Sequence, residues 1–139
     1  MSSTNRQNRK DDPDYYVTPI PPIVEFLKAL LKVDEDFQPI NSTILDSCAG
    51  GDKDHPMSYP EALKQIGVYN VYTMDIRKDS RAKVKKDFLQ FKPKEIFDIV
   101  ITNPPFWLAV PAPLFLPITS HTSTVIILQL GLFHSVLFI

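Results

Sequence analysis

Phe97-Asp98-Ile99-Val100-Ile101-Thr102-Asn103-Pro104-Pro105-Phe106 is the stretch on which the reading of this chain turns. Its first part is short, β-branched and, after Asp98, apolar, which is the pattern of a strand buried on both faces. Two consecutive prolines then end it, because neither can donate to a sheet ladder. Each fixes its own φ, and a residue before proline is pushed out of the helical region, so Asn103 and Pro104 sit on stiff backbone. The stretch predicts a core strand that stops at a rigid, polar turn.

Working outward, two upstream runs end in a related way. Thr43-Ile44-Leu45 is a β-prone run that passes into Asp46-Ser47-Cys48-Ala49-Gly50-Gly51-Asp52, a turn of small residues. Val68 to Met74 is β-branched and aromatic and ends at Asp75. The stripe Ile23, Phe26, Leu27, Leu30 and Leu31 predicts a helix from about Pro22 to Val33. Ser58 and Glu61 have capping-box spacing, and Gly67 supplies a stop, predicting a second helix over Tyr59 to Ile66. Thr124 to Leu128 reads as a further buried strand. Strands separated by helices and connections, with little hairpin chemistry, imply an α/β fold with a mostly parallel sheet. Such sheets bind ligands beyond the carboxyl ends of their strands, where Asp46, the Ala49-Gly50-Gly51 loop, Asp75 and Asn103 would gather.

Composition sets the outer bounds. The chain has 139 residues, 44% of them hydrophobic, with 15 basic and 16 acidic side chains, which suits one domain with a single core. A net charge of -1 gives no bulk argument for nucleic-acid or membrane binding, so any binding surface has to be local. One cysteine, Cys48, and no signal peptide make the cytoplasm the expected location. Residues 1–14 are polar and expected to be a disordered tail, leaving 15–139 as a single domain. Charge is unevenly spread. Arg77, Lys78, Arg81, Lys83, Lys85, Lys86, Lys92 and Lys94 face only Asp79 and Asp87, a basic run read as a solvated face ahead of a phosphate path. No charged residue follows Asp98. The apolar run from Val125 to Ile139 is too short for a membrane span and contains Gln129 and His134. Cys48 reads as a small packing residue and no nucleophile, and His55, His121 and His134 show no metal-ligand spacing.

In its order of motifs from Tyr15 to Phe106, the chain resembles the class I S-adenosylmethionine-dependent methyltransferases that act on exocyclic amino groups, in particular the small phage-type DNA adenine-N6 methyltransferases. Asn103-Pro104-Pro105-Phe106 matches that family's tetrapeptide after the fourth strand. Asp46 with Cys48-Ala49-Gly50-Gly51 is similar to its cofactor loop, Asp75 to its ribose carboxylate, and Tyr16-x-Thr18-Pro19 to its N-terminal cofactor motif. Asp87 stands where the family places an acidic residue near the cofactor's adenine.

The resemblance implies a Rossmann-like sheet, S-adenosylmethionine as cofactor, no metal, and a flipped adenine of DNA as acceptor. It assigns Asn103 and the Pro104 carbonyl to the two N–H bonds of the adenine amino group, and Phe106 to stacking on the base. The same motif also serves methyltransferases of glutamine amides and RNA amino groups. A third reading is an inactive remnant or an accessory module that binds DNA or a partner through the basic run. After Phe106 the chain departs from the family. Trp107 to Ser123 is uncharged and interrupted by Pro111, Pro113 and Pro117, which precludes an ordinary surface helix. The sheet is therefore expected to be incomplete on its C-terminal side, without a closing hairpin, as in a truncated or frame-shifted product. The apolar end is then a candidate surface for self-association or pairing with a partner.

Overall fold

A computed structural model of the chain describes residues 17–91, 97–103, 119–129 and 134–138. The first helix, α1 (Ile20–Val33), begins two residues before the predicted Pro22 because Pro21 and Pro22 are accommodated in its first turn, where no N–H is needed. Ile23, Leu27 and Leu30 are buried along it, whereas Leu31, from the same apolar stripe, remains 43% exposed. The second helix, α2 (Ser58–Gln65), has Met57 at its N-cap and no side-chain cap. The predicted capping box does not form. Ser58 is already the first helical residue, and its hydroxyl donates 2.6 Å to the Thr18 carbonyl instead.

Six strands make one sheet: β1 (Ile44–Asp46), β2 (Val71–Asp75), β3 (Val84–Lys85), β4 (Phe97–Thr102), β5 (Thr119–Gln129) and β6 (His134–Phe138). Their spatial order is β3-β2-β1-β4-β5-β6. The pairs β1·β2, β1·β4, β2·β3 and β4·β5 are parallel, and β5·β6 is antiparallel. The fold class is thus α/β, with a mostly parallel sheet. The strand order reverses between β1 and β4, the place at which open α/β sheets generally carry a crevice above the carboxyl ends of their strands.

Several boundaries depart from expectation. β2 starts at Val71, three residues later than predicted, with Val68 buried in the preceding turn. β5 starts at Thr119, within the proline-interrupted stretch, and runs well beyond the predicted Thr124 to Leu128. The expectation of a sheet with no closing hairpin is corrected, because β6 lies antiparallel on β5 with Val125 opposite Phe138 and Gln129 opposite His134. Two-residue β3, inside the basic run, was not foreseen.

The core forms two clusters because successive strand residues face opposite sides. Ile44, Ile99 and Ile101 face α1 and α2, packing with Ile23, Leu27, Tyr59 and Leu63. Leu45 and Val100 point to the other face, where Phe88 and Phe91 cover them. Phe97 belongs to this second cluster although simple alternation places it with Ile99. The reason is a bulge: the N–H groups of Asp98 and Ile99 both donate to the Thr43 carbonyl, at 3.0 and 3.1 Å. The extra residue swings Phe97 across the sheet onto Tyr72, with ring centroids 5.5 Å apart.

Candidate functional site

Three strand carboxyl ends, those of β1, β2 and β4, meet around the β1/β4 crevice with the segment that enters α1. Asp46 ends β1 and is fully buried. Its Oδ1 accepts the Cys48 N–H at 3.2 Å, and that N–H is shared with Thr102 Oγ1 at 3.1 Å. Thr102 also hydrogen-bonds the Asp46 carboxyl. The other oxygen of Asp46, Oδ2, is buried with no partner among the described residues, as is Ser47 Oγ. Burial pushes the Asp46 carboxyl up to about 7, with the Asp75 charge adding to the effect and the Thr102 and Cys48 hydrogen bonds opposing it. Oδ2 is therefore the Asp46 oxygen with hydrogen-bonding capacity left over among the described residues.

The loop after β1 is built to stay close to the backbone. Gly50 and Gly51 have φ of 68° and 75°, a region that side chains with a Cβ rarely enter. Asp75 braces this loop from the end of β2: its Oδ2 accepts the Gly50 N–H at 2.7 Å and its Oδ1 the Arg77 N–H at 2.8 Å. Arg81 closes the far side. Its backbone N–H donates 3.1 Å to the Gly50 carbonyl, and its guanidinium reaches the carbonyls of Asp52 and Lys53. Part of the basic run therefore shapes the loop, while Lys78, Lys83 and Lys86 remain exposed.

Asn103 follows β4 and is half-buried. Its amide Nδ2 donates 2.9 Å to Thr18 Oγ1. Thr18 is buried in the segment that enters α1, and its side chain is also hydrogen-bonded to Tyr59. Tyr59 in turn feels the Asp46 charge, which, after burial, raises its phenol further from its ordinary range. Thr18, Asp46, Cys48, Ala49, Gly50, Gly51, Asp75 and Asn103, all expected at a site, are thus linked around one crevice by hydrogen bonds and sheet pairing.

Other expected residues fall elsewhere. Pro19 is exposed at the N-cap of α1. Asp87 is half-buried just past Lys86, whose N–H bonds the Asp75 carbonyl at 3.1 Å. Tyr16, Pro104, Pro105 and Phe106 lie outside the described residues. The Cys48 thiol is pushed up to about 12 by burial and by the charges of Asp46 and Asp75, so it is held protonated and is a poor nucleophile. Among the described residues, no group of three or more His, Cys, Asp or Glu is arranged to hold a metal. No helix there is long and apolar enough to cross a membrane.

Sequence reading missed Thr102, Ser58, Tyr59 and Arg81. Thr102 carried a signal, since a hydroxyl closing an otherwise apolar strand beside a motif asparagine needs a buried partner. The other three act through contacts distant in sequence, for which the chain offers no local pattern. No protein-family model and no curated protein matches this chain.

Proposed function

We propose that the chain is a Rossmann-like, S-adenosylmethionine-dependent methyltransferase whose acceptor is the exocyclic N6 amino group of adenine in DNA. The observation that carries the reading is the orientation of Asn103 at the β1/β4 crevice, with its amide nitrogen turned to Thr18 Oγ1. Nδ2 thereby gives one N–H to the protein, and Oδ1 is the end of the amide assigned to accept from an amino group.

The residues of the crevice fit the cofactor. The orphaned Asp46 Oδ2 suits its ammonium, the Ala49-Gly50-Gly51 backbone permits close approach, and Asp75, with two lone pairs on each oxygen, has capacity for ribose hydroxyls beyond its two backbone donors. When bound, S-adenosylmethionine would supply an electrophilic methyl on a sulfonium, its sulfur keeping the C–S electron pair as a neutral thioether and the proton of the methylated nitrogen passing to water.

The protein's task is set by the acceptor. An adenine amino lone pair is delocalised into the ring and is a poor nucleophile. Asn103 Oδ1 and the Pro104 carbonyl are assigned to accept its two N–H bonds, which draws the nitrogen toward a pyramidal shape with its lone pair directed at the methyl. The two prolines keep that carbonyl fixed. Phe106 is assigned to stack on the base, contributing on the order of 1–3 kcal/mol toward flipping it out of the duplex.

The test is methyl transfer by the full chain from labelled S-adenosylmethionine to duplex DNA, RNA and protein, followed by hydrolysis and identification of the methylated unit. N6-methyladenine from DNA is the expected product. Methylglutamine or methylated RNA would move the acceptor while keeping the site, and no product from a chain that binds the cofactor would overturn the enzyme reading.

A further inference from the structure

Asn103 has one rotatable amide and two chemically opposite ends, so its value to an amino-group acceptor depends on which end faces the crevice. Nothing in Asn103-Pro104-Pro105-Phe106 itself decides that. The deciding contact comes from a segment remote in the chain, where Thr18 Oγ1 accepts Nδ2 at 2.9 Å. Thr18 is itself fixed from two sides. The Ser58 hydroxyl donates 2.6 Å to its carbonyl, and the buried Tyr59 hydrogen-bonds its side chain. Both partners belong to the first turn of α2, where Ser58 is the first helical residue and Met57 the N-cap.

We propose that Thr18 is a positioning residue for the methyl acceptor: its hydroxyl, anchored by Ser58 and Tyr59 at the start of α2, holds the Asn103 amide with Oδ1 toward the amino nitrogen. This departs from the role in cofactor binding that its sequence motif suggests, and it rests on the methyltransferase reading above. A Thr18 that serves the cofactor sets its affinity. A Thr18 that serves Asn103 sets the rate at saturating cofactor and leaves the affinity alone.

The experiment compares the full-length wild-type chain with Thr18→Val, which keeps shape and loses the hydroxyl, and Thr18→Ser, which keeps the hydroxyl. Each is checked for folding by circular dichroism, titrated with S-adenosylmethionine, and assayed for kcat and KM on adenine-containing duplex DNA. Misplacing a group that aligns the reacting atoms costs on the order of 100-fold in rate, so Thr18→Val is expected to lose about 10–100-fold in kcat. Its cofactor Kd should stay within about twofold and Thr18→Ser should recover most of the rate, since the hydroxyl that does the positioning is present. A Thr18→Val chain with unchanged kcat and weakened cofactor would overturn the proposal and return Thr18 to cofactor binding. A folded Thr18→Ser chain with kcat reduced 10-fold or more would overturn it even if Thr18→Val failed to fold. A wild-type chain that binds the cofactor and transfers nothing would instead bring down the methyltransferase reading, and this proposal with it.

Discussion

Asn103, at the end of β4, donates its side-chain amide 2.9 Å to the hydroxyl of Thr18, a residue 85 positions earlier that enters α1. The contact joins the only motif that names an acceptor chemistry to the segment that precedes the first helix. Replacing Asn103 by Ala removes the Oδ1 acceptor assigned to the amino group and leaves the β1 and β2 loops intact. Methyl transfer should fall by at least about 100-fold, the scale for losing one preorganised polar group at a reacting centre, with cofactor affinity nearly unchanged. Retention of the wild-type rate by Asn103→Ala, measured at saturating cofactor, would refute the mechanism.

Asp46 makes the site pH-sensitive. Its carboxyl ordinarily titrates at 3.8 and is raised to about 7 in the fold, so between those values the folded chain holds a proton that the unfolded chain has released. Stability from this group is therefore present at low pH and is lost as pH rises from about 4 to 7, by up to about 4 kcal/mol. Urea denaturation across that range should show Asp46→Asn flattening the decline. Cofactor affinity runs the other way: an ammonium prefers the ionised carboxylate, so it should strengthen as pH rises through 7, and Asp46→Asn should remove that dependence too.

Asp75 is a brace before it is a ligand. Its two oxygens hold the N–H groups of Gly50 and Arg77, so Asp75→Ala leaves two backbone donors without their partners. A loss of about 2–4 kcal/mol in stability is expected, together with cofactor affinity weakened about 10-fold or more as the glycine loop relaxes. Asp75→Ala with full stability and cofactor affinity would show that the loop holds its shape by itself.

Gly51 tests the same loop from the other side. A Cβ there would stand 3.0 Å from the Met57 side chain and 3.1 Å from Arg81 Cβ, on backbone with φ of 75°. Gly51→Ala should destabilise the fold by about 1–3 kcal/mol in urea denaturation.

The helix stripe separates pattern from packing. Leu27 is fully buried and Leu31 is 43% exposed, although both fall on the apolar spacing of α1. Leu27→Ala should cost about 2–5 kcal/mol and Leu31→Ala less than about 1 kcal/mol in thermal or urea unfolding.

Much of the fold was readable because hydrophobic periodicity and strand ends are local signals. The strands around Ile44, Val71, Ile99 and Val125 and both helices follow from apolar spacing, and the polar strand ends place Asp46, Asp75 and Asn103 at one edge. What the pattern concealed is non-local. The bulge at Asp98 and Ile99 depends on their sharing the Thr43 carbonyl, so alternation misassigns Phe97. Ser58 has capping-box spacing, yet a buried carbonyl across the core outcompetes the cap. β6 lies inside one apolar run from Val125 to Ile139, in which periodicity alone does not separate two antiparallel strands. Thr18 shows the same limit at the site, since its motif marks it as important and only its contact with Asn103 says for what.

The most direct measurement is a calorimetric titration of the folded, full-length chain with S-adenosylmethionine. Saturable binding at one site, strengthening as pH rises through 7 and losing that dependence in Asp46→Asn, is the expected result. A folded chain that releases no heat of binding at any pH would contradict the assignment of the β1/β4 crevice to this cofactor.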